Sequence, residues 1–335
     1  MPTHHEGADS LAVTRTGLEE NQVAIYFAAV VAGALMAVAA PGEAWGAVIN
    51  PALAALLYVT FLQVPLADLR KSLANGRFLL TLLAVNFVAA PLVAFVLASF
   101  LPSEEWVLRL GVLMVLLAPC IDYVVVFTHL GRGDPRLIVA ATPVLLVAQM
   151  LLLPVYLGLF VGERAMAMMQ PGPFIEAFVW LIAVPLALSA ATQAWAARSG
   201  AGKTVADAMG WLPVPLMAMV LLVVIAAVAP DVAAQARSVA MLVPVYAAFA
   251  VAMPVVGSLV ARFAGLEAGA GRAVTFSGST RNSLVVLPLA FAVPEAGALL
   301  PAAVVTQTLV ELVAMLVYIR WVPTLVSAKP AAAAE

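Results

Sequence analysis

Long apolar stretches, separated by short polar connectors, run through most of this sequence. A helix crosses the hydrocarbon core of a bilayer, roughly 30 Å thick, in about 20 residues. Ten stretches approach that length and predict ten transmembrane helices, at residues 22–40, 46–67, 78–100, 106–128, 137–160, 174–196, 211–229, 238–261, 273–293 and 298–325. The connectors leave no room for a further domain, so the sequence predicts an all-α membrane protein.

The two halves of the chain share a spacing of polar residues. Gln149 and Tyr156 are seven residues apart in the fifth span, and Glu311 and Tyr318 are seven apart in the tenth, at an offset of 162. Each half has five spans, an odd number, so homologous halves insert with opposite orientations. We therefore predict two inverted five-helix repeats at residues 22–160 and 172–325, flanked by polar tails at residues 1–21 and 326–335.

Lys and Arg residues fall mainly in alternate connectors. If the N-terminus is cytoplasmic, twelve of them lie on the cytoplasmic side of the membrane and two on the outer side. Basic residues collect on the cytoplasmic side of membrane proteins. This predicts a multi-pass protein of the plasma membrane, the inner membrane of a cell that has two, with both termini in the cytoplasm.

Composition narrows the function classes. The chain is 64% hydrophobic and 10% charged, against about 45–50% and about 25% in soluble proteins. A net charge of -2 indicates no nucleic-acid partner. The sequence contains no Walker-type loop, so it does not predict ATP hydrolysis. No nucleophile and base pair has a recognisable spacing. We predict no enzyme activity and no cofactor, with the lipid bilayer, protons and a small inorganic or anionic substrate as partners.

The fourth span contains an interruption. Pro119, Cys120 and Asp122 lie midway through an otherwise apolar segment. Proline blocks a helical hydrogen bond, and a carboxylate at membrane depth usually faces a partner or a water-filled cavity. These residues predict a broken helix at a functional site.

The ninth span contains the most polar stretch of any span, residues 275–283. Glycine and small hydroxyl residues favour unwound backbone, which is tolerated at membrane depth only where protein or water satisfies it. The offset of 162 sets Cys120 opposite Asn282, so both repeats are interrupted at corresponding positions. Such a pair of interruptions indicates a midplane binding site. The predicted helix breaks are at Pro119 and Gly278, and the predicted substrate-binding residues are Cys120, Asp122, Ser277, Ser279, Thr280, Arg281 and Asn282.

Two charges lie within these spans. Arg281 needs an acidic partner, exposed carbonyls or an anionic substrate. Asp122 and Glu311 are its candidate acidic partners, and the spacing of Asp122 from Cys120 favours Asp122. Glu311 could instead carry a coupled proton. Cys120 supplies a soft sulfur ligand, which suits a metalloid better than sodium.

Three groups of residues carry a resemblance to a known family. They are Ala118-Pro119-Cys120 with Val124, Phe127 and Leu130-Gly131-Arg132-Gly133-Asp134-Pro135, then Phe276-Ser277-Gly278-Ser279-Thr280-Arg281-Asn282, and finally Glu311. The first group is similar to the fourth-span signature of the arsenical resistance permeases, arsenite exporters of the bile acid/sodium symporter superfamily. The second is similar to the ninth-span crossing motif of that superfamily, and Glu311 matches the acidic residue of its tenth span.

The resemblance implies that spans four and nine are unwound where they cross. It also implies a core of spans three to five and eight to ten, and a panel of spans one, two, six and seven. Cys120 would meet arsenic and Glu311 would assist proton-coupled export. Sodium-coupled relatives carry Glu and Gln where this chain has Ser277 and Arg281, which argues against sodium coupling. The arsenite exporters usually have uncharged residues at the positions of Asp122 and Arg281.

The function predicted from the sequence is secondary active export of arsenite or antimonite in exchange for protons. One alternative is an organic-anion carrier of the same fold, in which Arg281 holds a small carboxylate. Another is a membrane sensor or assembly subunit that transports nothing. Oligomeric state and coupling stoichiometry stay open.

Overall fold

Thirteen helices account for most of the residues that the structure describes. This structure is a computed structural model, and it describes residues 17–18, 21–39, 43–64, 75–121, 123–160, 171–293 and 296–327. The N-terminal tail up to residue 16, Asp122 and the C-terminal tail from residue 328 therefore lie outside the described residues. The helices cluster into two compact units, and each unit takes helices from both halves of the chain.

Unit 1 comprises the described residues of Met1–Gln63 and Glu176–Ala234. Its helices are α1 (Gln22–Ala39), α2 (Glu43–Gln63), the greater part of α7 (Pro171–Phe178, a π-helical turn Val179–Ala183, and Val184–Ala196), α8 (Gly200–Met209) and α9 (Pro213–Ala234). A small residue lets α1 approach α9 closely, since a Cβ atom at Gly33 would lie 2.6 Å from the carbonyl oxygen of Leu222. Polar contacts join α2 to α7, where the hydroxyls of Tyr58 and Thr192 are 3.0 Å apart.

Unit 2 comprises the described residues of Val64–Ile175 and Gln235–Glu335. Its helices are α3 (Gly76–Ser99, with a π-helical turn at Val85–Ala89), α4 (Trp106–Leu116), α5 (Val124–Leu130), α6 (Pro135–Phe160), α10 (Ala236–Phe263), α11 (Ala268–Ser279), α12 (Ser283–Phe291) and α13 (Leu299–Leu325). Unit 2 thus holds helices from predicted spans three to five and eight to ten, and unit 1 holds helices from spans one, two, six and seven.

Seven of the described helices are long and apolar enough to cross a membrane: α1, α3, α6, α7, α9, α10 and α13. Shorter apolar helices occupy the second predicted span and the first part of the fourth, at Ala47–Gln63 and Trp106–Leu116. The ninth predicted span consists of two short helices, α11 and α12. The described residues are therefore all-helical and consistent with a membrane protein, and the count of ten spans stays a prediction.

Two tyrosines of unit 2 stabilise proline-containing helices in the same way. Proline has no N–H, so the carbonyl four residues before it lacks its usual helical partner. The Tyr156 hydroxyl donates to the carbonyl of Phe87, four residues before Pro91. The Tyr318 hydroxyl donates to the carbonyl of Ala250, four residues before Pro254, at 2.6 Å. The two tyrosines, which the sequence pairs at an offset of 162, thus make matching contacts.

Candidate functional site

Two breaks in the helices of unit 2 meet each other. The first lies between α4 and α5, and the second lies between α11 and α12. The extended segments of the two breaks pair in antiparallel fashion at Pro119 and Arg281. Pro119 has no N–H to continue α4, and backbone groups left unpaired by a break must find partners when water is excluded. Each break supplies those partners to the other.

The hydrogen bonds between the two breaks are reciprocal. The Cys120 N–H donates to the Thr280 carbonyl at 3.1 Å, and the Asn282 N–H donates to the Ala118 carbonyl at 2.7 Å. Thr280 and Asn282 lie 162 residues after Ala118 and Cys120, respectively. Exchanging the two segments by this offset therefore reproduces the same pair of bonds. The local arrangement has approximate two-fold symmetry.

The Arg281 guanidinium is completely buried, with 0% of the residue exposed. It donates to the carbonyls of Leu116 at 3.3 Å and Ser277 at 3.2 Å, to the carbonyl of Gly278, and to the Asn86 amide oxygen at 3.1 Å. Among the described residues, none of these acceptors is a carboxylate. Main-chain and amide oxygens thus bind both Nη atoms, whereas the Nε–H has no hydrogen-bond partner among the described residues.

The Glu311 carboxylate binds the same crossing from α13. Its Oε2 atom accepts the main-chain N–H of Arg281 at 2.9 Å and an N–H of the Gln307 amide, and its Oε1 atom accepts the Tyr123 hydroxyl at 2.6 Å. Only 4% of Glu311 is exposed. Glu311 therefore contacts Arg281 through the main chain, which makes it a support for the break and leaves the guanidinium to other partners.

Asn86 joins α3 to this network. It lies in the π-helical turn Val85–Ala89 and is fully buried. Its Nδ2 atom donates to the Leu82 carbonyl at 3.1 Å and to the Ser277 hydroxyl at 3.0 Å, and its oxygen accepts the Arg281 guanidinium. A π-helical turn shifts one side chain relative to the helix before it and is frequent at functional sites. Here the turn carries Asn86, the only side-chain amide of α3, to the buried charge.

The hydroxyls predicted to bind substrate are mostly engaged within α11. Ser279 donates to the Thr275 carbonyl at 2.7 Å, and Thr280 donates to the Phe276 carbonyl at 3.0 Å. The Ser277 hydroxyl accepts the Asn86 amide. These contacts place the three residues at the crossing and leave their hydroxyl oxygens as remaining acceptors.

Asn282 begins α12. Its side-chain oxygen accepts the main-chain N–H of Val285 at 3.2 Å, as helix-capping residues do, whereas its Nδ2 atom has no hydrogen-bond partner among the described residues. Gly278 differs from the expectation, because it lies in the last turn of α11 and the unwound stretch begins after Ser279. Its role is close packing, since a Cβ atom there would lie 2.3 Å from a methyl carbon of Val85.

Cys120 is fully buried within the crossing. A small cavity, large enough for about one water molecule, lies next to Glu311, and it is lined by Leu116, Tyr246, Phe249, Ala250, Ser279, Gln307, Val310, Glu311 and Tyr318. The predicted contribution of Asp122 lies outside the described residues. The structure thus brings Cys120, Arg281, Asn282 and Glu311 to one place in unit 2.

Comparison with known families agrees with this architecture. A family model described as "Sodium Bile acid symporter family" matches residues 50–235, which is more than half of the chain. The chain belongs to this family. No curated protein sequence matches it. Family membership establishes a multi-pass transporter of the bile acid/sodium symporter superfamily and disfavours an enzyme. The matched region includes Cys120 but not α11, α12 or α13, so the residues around Arg281 are interpreted from the structure.

Three residues at the site of this family member are absent from the predicted set: Asn86, Tyr123 and Gln307. Asn86 is a single polar residue in an apolar stretch, so no spacing links it to the others, whereas Tyr123 directly follows Asp122 and Gln307 lies four residues before Glu311. A signal does exist for Asn86, because a lone amide five residues before Pro91 is costly in a span unless it has partners. Gln149, which the offset pairs with Glu311, is 1% exposed, and neither of its amide atoms has a hydrogen-bond partner among the described residues.

Proposed function

We propose that the chain is a secondary transporter built from two inverted five-span repeats. In this proposal it lies in the plasma membrane with both termini in the cytoplasm. The reciprocal hydrogen bonds between residues at an offset of 162 support the repeat. In this proposal unit 2 is the core that carries the substrate site, and unit 1 is the panel.

The proposed substrate is arsenite or antimonite, exported in exchange for protons. One observation carries this proposal: the helix breaks cross at Cys120, and the carboxylate of Glu311 binds the same crossing. Trivalent arsenic hydroxide is small, largely neutral near pH 7 and attracted to sulfur. One thiol with polar groups around it would bind such a solute reversibly, as transport requires. Glu311 would bind the exchanged proton.

The contacts of Arg281 favour a neutral substrate over the alternative, a small organic carboxylate. An anion-binding guanidinium must offer free N–H groups to its ligand. The two Nη atoms of Arg281 already donate to four acceptors of its own chain, and its Nε–H has no partner among the described residues. A carboxylate that binds through two N–H groups, one of them the Nε–H, would have to displace at least one of these bonds in a fully buried place.

Accumulation of arsenite in cells tests this function. Cells that lack their own arsenite exporters would be grown with and without the chain, and their arsenic content would be measured. We expect a lower arsenic content in cells that express the chain than in cells that lack it. Cells that express the Cys120→Ser variant should have the same arsenic content as cells that lack the chain. Equal arsenic content in all three cultures, with the protein present in the membrane, would contradict it.

A further inference from the structure

Two helices of unit 2 end at one buried positive charge. The C-terminal carbonyl of α4, that of Leu116, accepts a hydrogen bond from the Arg281 guanidinium. The carbonyls of Ser277 and Gly278, in the last turn of α11, accept two more. The guanidinium carbon lies 5.3 Å from the centre of the Phe249 ring. The chain therefore places oxygen atoms at both Nη atoms of this group and an aromatic ring on its face.

Two helix ends contribute negative charge to this arrangement. The C-terminal end of a helix is equivalent to about -0.5 of an elementary charge. Two such ends contribute about -1, which matches one monovalent cation. The Glu311 carboxylate accepts the main-chain N–H of Arg281 and also attracts its guanidinium electrostatically. The negative ends of α4 and α11 thus bind the guanidinium directly, and Glu311 adds its attraction without a hydrogen bond to the guanidinium among the described residues.

We propose that these groups form a receptor for a flat monovalent cation and that the chain fills it permanently with its own Arg281. The receptor consists of the carbonyls of Leu116, Ser277 and Gly278, the Asn86 amide oxygen and the Phe249 ring. Removal of the side chain leaves the negative helix ends unbalanced in a space of guanidinium shape. A free guanidinium ion then enters and restores both charge and packing.

The consequence concerns the ion dependence of the proposed transport. A cation that is part of the chain cannot move with the substrate. Because Arg281 fills the receptor, transport does not require an external cation to bind there. The inference rests on the proposed function only for this consequence. Binding to the receptor is measurable without any substrate.

The test is the thermal unfolding of purified full-length protein in detergent. The Arg281→Ala variant would be compared in guanidinium chloride and in choline chloride at equal, millimolar concentration. A ligand that binds only the folded state raises the midpoint in a saturable way. We expect a rise of roughly 2 °C at about ten times the dissociation constant. Wild-type protein should show no saturable rise, because its receptor is filled.

Arg109→Ala is the matched control. Arg109 lies in α4, and its guanidinium also binds a carbonyl, but among the described residues it donates only to that of Leu101 and is partly exposed. Guanidinium should not stabilise this variant above wild type. A response of Arg281→Ala equal to that of wild type would overturn the proposal. An Arg281→Ala protein that is unfolded in both salts would also overturn it, because the covalent attachment of the guanidinium to the chain, and not its charge alone, would then be essential. A failure of arsenite transport with a positive result here would overturn only the proposed function.

Discussion

Cys120 contributes to the crossing through its main chain, and separately through the thiol to which we assign metalloid binding. Its N–H donates to the Thr280 carbonyl, a contact that does not depend on the side chain. The side chain is fully buried, so a replacement of similar size is needed to preserve packing. The two roles can therefore be separated by mutation.

Cys120→Ser should keep the fold and remove metalloid transport. Serine preserves the N–H and nearly the volume but replaces a soft ligand with a hard one. The yield and unfolding midpoint of the purified variant should match those of wild type, while arsenite resistance of the expressing cells should fall to that of cells without the chain. Resistance at the wild-type level would show that the thiol has no part in transport.

Arg281 shows what residue spacing can and cannot predict. Its burial and its position in a helix break were predictable, since a charge among small hydroxyl residues marks a functional interruption. The preferred partner, Asp122, lies outside the described residues. The partners in the structure include carbonyls at the ends of α4 and α11, about 160 residues apart in sequence. Backbone groups carry no side-chain signature, so a sequence cannot show which of them converge.

At the scale of secondary-structure elements, the packing of α11 on α3 depends on a small residue. Gly278 has an ordinary helical conformation, and a Cβ atom there would lie 2.3 Å from a methyl carbon of Val85. Val85 opens the π-helical turn that carries Asn86. Displacement of Val85 would therefore also disturb the contact of Asn86 with Arg281.

Gly278→Ala should lower the free energy of unfolding by about 1–3 kcal/mol, as overpacking of a filled core does, and should lower transport. Gly269→Ala is the matched control in the same helix, because its Cβ atom would meet the nearest atom at 3.8 Å, which is an ordinary contact. Unfolding midpoints of the two purified variants give the comparison. Equal midpoints would show that α11 and α3 can separate without cost.

The bond between Tyr318 and the Ala250 carbonyl should depend on Pro254. Tyr318→Phe leaves a buried carbonyl without a partner and should lower the free energy of unfolding by about 1–2 kcal/mol. In a Pro254→Ala background the new N–H can bind this carbonyl, so the loss should fall to less than half. A double-mutant cycle on unfolding free energies measures this coupling.

Tyr246→Phe is the control for that cycle. The Tyr246 hydroxyl donates to the Ala303 carbonyl at 3.0 Å, and the residue four positions later, Gln307, is not proline. Its cost should be the same with and without Pro254→Ala. Equal costs of Tyr318→Phe in both backgrounds would contradict the role assigned to Pro254.

The position of the helix breaks was more predictable than their extent. Pro119 marks the end of a helix by chemistry that any sequence shows. In the ninth span the polar run predicts unwinding from Gly278, whereas α11 continues to Ser279. The hydroxyls of Ser279 and Thr280 donate to carbonyls four residues earlier, so the same small polar residues that favour unwinding also satisfy the last helical turn.

At the scale of the whole molecule, chain order and compact units differ. The apolar length of each span predicts a helix because the bilayer requires it, and the boundaries of α6, α10 and α13 lie close to the predicted ones. The units, however, each combine helices from both halves of the chain. Apolar faces that contact protein and lipid have similar composition, so the hydrophobic pattern alone could not assign helices to units.

The central claim is that Cys120 and Glu311 act together in proton-coupled export of a metalloid, without sodium. The most direct measurement is arsenite uptake into proteoliposomes that contain the purified chain, with protein-free liposomes as the background. An interior more acidic than the bath should drive accumulation of arsenite, because protons leave as arsenite enters. A sodium gradient at equal pH should drive none. Glu311→Gln should lose the pH-driven accumulation and keep arsenite exchange at equal pH. Sodium-driven accumulation at equal pH, or pH-driven accumulation by Glu311→Gln at the wild-type level, would contradict the account.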